Sequence, residues 1–177
     1  MADPDESAVR LLLVEYERLK DEQKTRIGLR DNLIYVTLAA MAAVITASLA
    51  SKGHANLLLL LPPVSTVLGW TYLVNDEKVS AIGRYIRDHL TPDLDPTGKA
   101  FGWERTHRSD ERRRSRKILQ LIVDLGTFCM PATAAVVIYW ANGPYHWPFV
   151  VVSVVELAVA LALACEVVRY ADLNVSA

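Results

Sequence analysis

Cysteine is scarce in this chain, and the two present, Cys129 and Cys165, lie inside apolar blocks without metal-ligand spacing. They read as small packing residues, not as a disulfide or a zinc pair. An excess of either charge is also lacking. The chain carries 19 Lys and Arg against 20 Asp and Glu, a net −1, so no global field draws it to nucleic acid. HExxH, a glycine-rich phosphate loop, GxSxG and a Cys–His constellation are all missing, which speaks against an enzyme. Four histidines, His54, His89, His107 and His146, are scattered along the chain. No catalytic residue, metal set or cofactor is expected. The opening Met-Ala-Asp-Pro-Asp-Glu-Ser is acidic and polar, unlike a cleavable signal peptide, and no lipidation motif is visible.

Apolar residues are plentiful. They make up 52% of 177 residues and fall into four long blocks with the charges between them. The key stretch is the basic run Arg105, Arg108, Arg112, Arg113, Arg114, Arg116 and Lys117, which leads into 118–140, where Asp124 is the one charge. Twenty-three residues are enough to cross a bilayer core of ~30 Å. A cluster of Lys and Arg holds its flank on the cytoplasmic side. The predicted spans are 33–50, 57–74, 118–140 and 147–168. The 1–32 segment holds six Lys and Arg and the 76–117 segment eleven, whereas the two outer turns hold Lys52 alone and the tail Arg169. An inside–outside–inside–outside–inside path satisfies the positive-inside rule at every segment.

The expected fold is thus an all-α membrane protein of four transmembrane helices with amphipathic helical cytoplasmic extensions. Its parts are a cytoplasmic amphipathic helix (1–32), a first transmembrane hairpin (33–74), a cytoplasmic helical loop with the basic run (75–117), a second hairpin (118–168) and a cytoplasmic tail (169–177). In the first part Val9, Leu12, Tyr16, Leu19, Gln23, Ile27 and Arg30 recur at helical spacing and form one stripe. No proline lies between Glu6 and Ser51, so this helix is expected to continue into the first span. Val79, Ile82, Ile86 and Leu90 form a second stripe. The two extensions leave adjacent spans on the same side and are predicted to pair antiparallel as a stalk.

Within the spans, Ala39, Ala43 and Ala47 at four-residue intervals would let another helix approach closely. Trp70, Tyr72 and Tyr35 read as interfacial anchors. Pro62-Pro63 should kink or restart the second span, with Ser65 and Thr66 placed to bond the freed carbonyls. Pro131 sits in the third span, and Pro148 suits the start of the fourth.

Three acids fall inside the spans: Asp124, Glu156 and Glu166. Ionisable residues at such depth are rare and point to function by default. Glu156 shares a face with Ala160 and Ala164, whereas Ala158, Ala162 and Glu166 share the opposite one. Small residues on both faces suggest packing on two sides, as in a bundle or a homo-oligomer. Three readings of Glu156 stand open: a neutral acid bonded between helices, a group on a cation or proton path, or a contact to lipid headgroups. Glu166 is expected to reach the interface and pair with Arg169 or the basic run. That run itself reads as a topology determinant that contacts lipid headgroups, not nucleic acid, because acids interrupt it and aromatics are sparse.

The run Glu17-Arg18-Leu19-Lys20-Asp21-Glu22-Gln23, with Arg26-Ile27 and Arg30-Asp31-Asn32-Leu33-Ile34, carries a resemblance. Together with Trp70, Asn75-Asp76 and Ile82-Gly83-Arg84-Tyr85-Ile86-Arg87, it resembles a group of small, uncharacterised bacterial integral membrane proteins. The likeness covers mainly residues 15–90 and implies a multi-pass protein of the bacterial inner membrane, for which the charge distribution predicts both termini cytoplasmic. It implies no activity and no catalytic residue. Pore-forming membrane effectors of bacterial defence systems are similar in layout. Two functions follow as expectations: an oligomeric cation-conducting channel or pore, or a membrane-anchored scaffold whose stalk binds a cytosolic protein partner.

Overall fold

The computed structural model describes residues 4–50, 55–95, 113–142 and 146–171. Much of the expected cytoplasmic helical loop over 75–117, including Arg105, Arg108 and Arg112, and most of the 169–177 tail lie outside these residues. Every regular element among the described residues is helical. α1 spans Pro4–Ala50; a 3-10 helix over Ala55–Leu60 leads into α2, Leu61–Tyr85. A π-helical turn, Ile86–Leu90, and a short α3, Thr91–Leu94, follow. α4 is Arg113–Phe128, α5 Met130–Asn142 and α6 Trp147–Tyr170. Four helices are long and apolar enough to cross a membrane: Glu6–Ala50, Ala55–Leu94, Ser115–Asn142 and Trp147–Tyr170. At 1.5 Å per residue the 47 residues of α1 reach about 70 Å, more than twice an apolar bilayer core of about 30 Å.

The prolines explain the breaks. Pro62 and Pro63 occupy the first turn of α2, where a missing N–H costs little, so the helix restarts there. Ser65 Oγ donates to the carbonyls of Leu61 and Pro62 at 2.8 and 3.2 Å. Those are not the carbonyls the prolines leave without a donor, which lie one turn upstream. Pro131 divides the third span into α4 and α5 around Cys129, because it takes one amide out of the ladder. Pro148 stands in the first turn of α6, as its spacing predicts.

The chain forms two compact units. The first comprises Met1–Arg30 and Asn75–Arg113, the second Asp31–Val74 and Arg114–Ala177. Within the first, α1 and α2 run antiparallel, tied from Arg30–Asp76 at one end to Glu15–Tyr85 at the other. Leu12, Tyr16, Leu19 and Gln23 turn partly inward on α1, while Ile86 and Leu90 are buried. Two stripe positions differ from expectation: Val9 and Ile27 are exposed, and Arg26 takes the inward place.

The core of the second unit draws on four helices. Leu33, Tyr72, Leu73, Phe128, Leu163 and Val167 form one buried cluster. Leu59, Val136 and Tyr139 form another around the 3-10 helix and α5. Tyr72 packs its ring 5.0 Å from Phe128, so it is a core residue and not the interfacial anchor its position suggested. Trp70 and Tyr35 remain exposed. Ala39, Ala43 and Ala47 are exposed too; α1 turns Leu33 and Thr37 inward instead. Among the described residues, no helix of the second unit covers the alanine stripe.

Candidate functional site

α6 packs by one stripe. Ser153, Ala160, Leu163 and Val167 on it are buried, and Glu156 sits in the same register, three residues after Ser153 and four before Ala160. The 3–4 alternation leaves no other face for it. Ala158 and Ala162, opposite, are exposed, so within this chain α6 packs on one side and not two. Glu156 is half-buried, yet its Oε2 is shut off from solvent and bonded by no described residue. A carboxyl oxygen buried without a partner is costly. A proton, a cation or water must therefore complete it.

The surroundings close on both sides. Toward the α5–α6 turn, Trp140 Nε1 donates to Ser153 Oγ at 3.1 Å, and Tyr139 is fully buried against Trp140 and Phe149. Toward the other end lies the layer of Phe128 and Leu163, with Gly69 between them. A Cβ on Gly69 would meet Leu163 Cδ2 at 2.7 Å and Phe128 Cβ and Cγ at 2.8 and 2.9 Å. Three helices meet here with no room for a methyl group, and only glycine allows it. Leu163 is seven residues from Glu156, about 10 Å along the helix.

The three acids of the candidate spans therefore do not converge. On α6 the sealed layer at Leu163 separates Glu156 from Glu166, and on α4 Asp124 lies one turn before Phe128. Asp124 is buried, at 8% exposure. Glu166 accepts from Arg169 at 2.6 Å, the local pair that their spacing predicts. Among the described residues no three His, Cys, Asp or Glu side chains group to hold a metal. Of the basic run, Arg105, Arg108 and Arg112 lie outside the described residues. Arg113 and Arg114 open α4, Arg116 is exposed and Lys117 half-buried.

The first unit holds a polar lock that its sequence pattern only half announces. Gln23 Nε2 donates to the Val79 carbonyl at 3.2 Å. Asn75 Nδ2 donates to the Arg26 carbonyl at 2.7 Å, and Arg26 Nη1 returns a bond to Asn75 Oδ1 at 3.5 Å. Arg30 pairs with Asp76 at 3.0 Å. Gln23, Arg26 and Arg30 recur at three- and four-residue spacing, a polar interruption of an apolar stripe. That was the signal available for Arg26, and nothing comparable marked Asn75. At the far end Tyr85 donates to Glu15 at 2.9 Å. This bond, then the Glu15 charge, raises the Tyr85 phenol above its ordinary value of 10.0.

Comparison of the chain with protein-family models, with curated proteins and with solved structures yields no match.

Proposed function

We propose that the protein is an oligomeric helical integral membrane protein of the bacterial inner membrane, with both termini cytoplasmic, and that it conducts cations. The buried, unbonded carboxyl oxygen of Glu156 carries this reading. A carboxylate turned toward neighbouring helices attracts a cation or proton, whereas one turned to lipid would only be costly. In this reading Glu156 is the cation-attracting group. The layer of Phe128, Leu163 and Gly69 is the closed constriction beneath it, and Asp124 and Glu166 stand beyond that layer. Opening requires the Phe128 layer to shift, or the path to run between copies. The basic residues Arg116 and Lys117, at the start of the third span, hold that end on the cytoplasmic side and contact lipid headgroups.

A second reading is favoured by one observation, the side-chain lock of the first unit. Two helices tied at Gln23, Arg26, Arg30 and Asn75 make a firm rod, suited to a scaffold that presents a surface to a cytosolic partner. Ion flux in liposomes, wild type beside Glu156→Gln, separates the readings. A channel loses flux or cation preference in the mutant. No flux from either protein, both folded and inserted, would rule out conduction and leave the scaffold.

A further inference from the structure

Glu156 stands at the edge of the packed face of α6. Around the helix its neighbours on one side are Ser153 and Ala160, both buried, and on the other Val152 and Val159, both exposed. Its Oε2 is closed off from solvent and bonded by none of the described residues. Which cation completes this oxygen depends on the ligands and charges around it. A metal ion demands many ligands: calcium takes about six to eight oxygens and magnesium a full octahedron. Glu156 brings two. Ser153, one turn away on the side toward which a helical side chain leans, brings one more, and Trp140 Nε1 already donates to it at 3.1 Å. Among the described residues no three His, Cys, Asp or Glu side chains gather to supply others. A proton asks for far less. It cancels the charge, and the O–H it creates needs a single acceptor.

The distribution of charge leads the same way. From Ala55 to Val74 and from Met130 to Asn142 there is no Lys, Arg or His, and Tyr72 and Tyr139 are the titratable groups. In α1 from Leu33 onward the titratable group is Tyr35. Asp124 stands one turn before Phe128 and Cys129 directly after it, whereas Cys165, Glu166 and Arg169 follow Leu163. Arg116 and Lys117 stand at the far end of α4. Arg169 is thirteen residues from Glu156 and His146 ten, about 20 and 15 Å along the helix. Among the described residues, then, no fixed positive charge stands where it could hold a carboxylate in its charged form.

We propose that the cation Glu156 takes is a proton, which it holds as a carboxylic acid and gives up again to water. The proposal rests on the membrane placement of α6 in the reading above, not on conduction, and it names the ion of that same site.

The test treats the full chain in native membranes with dicyclohexylcarbodiimide, which dissolves in an apolar layer and adds to a carboxyl group that carries its proton. Peptide mass spectrometry is expected to find the label at Glu156, to show it lost as pH is raised, and to show it unchanged by saturating Na+, K+ or Ca2+. Glu156→Asp should retain a pH-dependent label at the same position. Glu166, paired with Arg169 at 2.6 Å, is the internal control and should stay unlabelled. Protection of Glu156 by a metal ion overturns the proposal, as does a label indifferent to pH. Labelling as fast by a water-soluble carbodiimide also overturns it, because the carboxyl would then stand in water. So does a folded, inserted protein that takes no label at Glu156 at any pH. Flux in liposomes keeps the two readings apart. A pH-dependent label without flux of any ion sinks conduction and upholds the proton site, whereas K+ flux with a label that K+ blocks upholds conduction and sinks the proton.

Discussion

Replacing Gly69 with Ala adds a single methyl where α2, α4 and α6 come together. The new carbon would lie 2.7–2.9 Å from Leu163 Cδ2, Phe128 Cβ and Phe128 Cγ, all closer than carbon atoms tolerate. Leu163 Cδ2 ends a flexible side chain and can turn away. Phe128 Cβ moves only with the α4 backbone, and its ring is held by Tyr72 at 5.0 Å. Overpacking of this kind costs about 1–3 kcal/mol, and the clash with Phe128 Cβ, which cannot turn away on its own side chain, puts it at the upper end. Alanine returns about 1 kcal/mol of helix propensity, which leaves a net loss of about 1–2 kcal/mol. Gly126 is the internal control. It too lies within a helix, but nothing stands within 4 Å of its Cβ position, so Gly126→Ala should stabilise by up to about 1 kcal/mol. Reversible unfolding of both variants in mixed micelles, by far-ultraviolet circular dichroism, measures the two directly. If helices in lipid are held chiefly by close packing, the two substitutions move stability in opposite directions. A Gly69→Ala protein as stable as wild type would refute the claim that this layer is sealed.

Two predictions concern the first unit. Asn75→Ala removes a buried amide that bridges the helices at Arg26, at a cost of about 1–2 kcal/mol. Hydrogen exchange over residues 15–30 should accelerate while the second unit is unchanged, and unaltered exchange there would show that the lock is incidental. The Glu15–Tyr85 bond gives a pH dependence of known sign. The phenol is raised above 10.0 in the folded state, so its contribution is complete below that pH and is lost as pH climbs through the raised value. Tyr85→Phe should abolish this alkaline loss. A pH profile identical to wild type would mean that the bond does not hold the helices together.

Much of the architecture was legible in the sequence because it depends on local period. Proline positions marked the helix starts at Leu61 and Trp147, and the absence of proline from Glu6 to Ser51 allowed α1 to run unbroken, whereas the third span was expected to be continuous and breaks between Phe128 and Met130. The Glu166–Arg169 pair needed only a three-residue spacing. Val79, Ile82, Ile86 and Leu90 marked the face by which the segment after Val74 packs. Placing Glu156 among the small residues of one α6 face likewise required nothing beyond 100° per residue.

Tertiary structure decided which neighbour each face meets. Periodicity assigns residues to a stripe but is silent on which of two stripes turns inward. Ala39, Ala43 and Ala47 look as suited to packing as Leu33 and Thr37, yet only the latter pair is buried. Tyr72 has the composition of a membrane-boundary anchor, but it lies in the core because Phe128 from another helix stands against it. Gly69 is one small residue among many until Phe128 and Leu163 arrive from a distance of 59 and 94 positions in the chain. Asn75 reads as the end of a span, and its bond to Arg26 exists only once α2 has folded back along α1. Local spacing sets what a helix can offer. Steric fit between residues far apart in sequence sets what it contacts, and no pattern within one helix records the shape of the next.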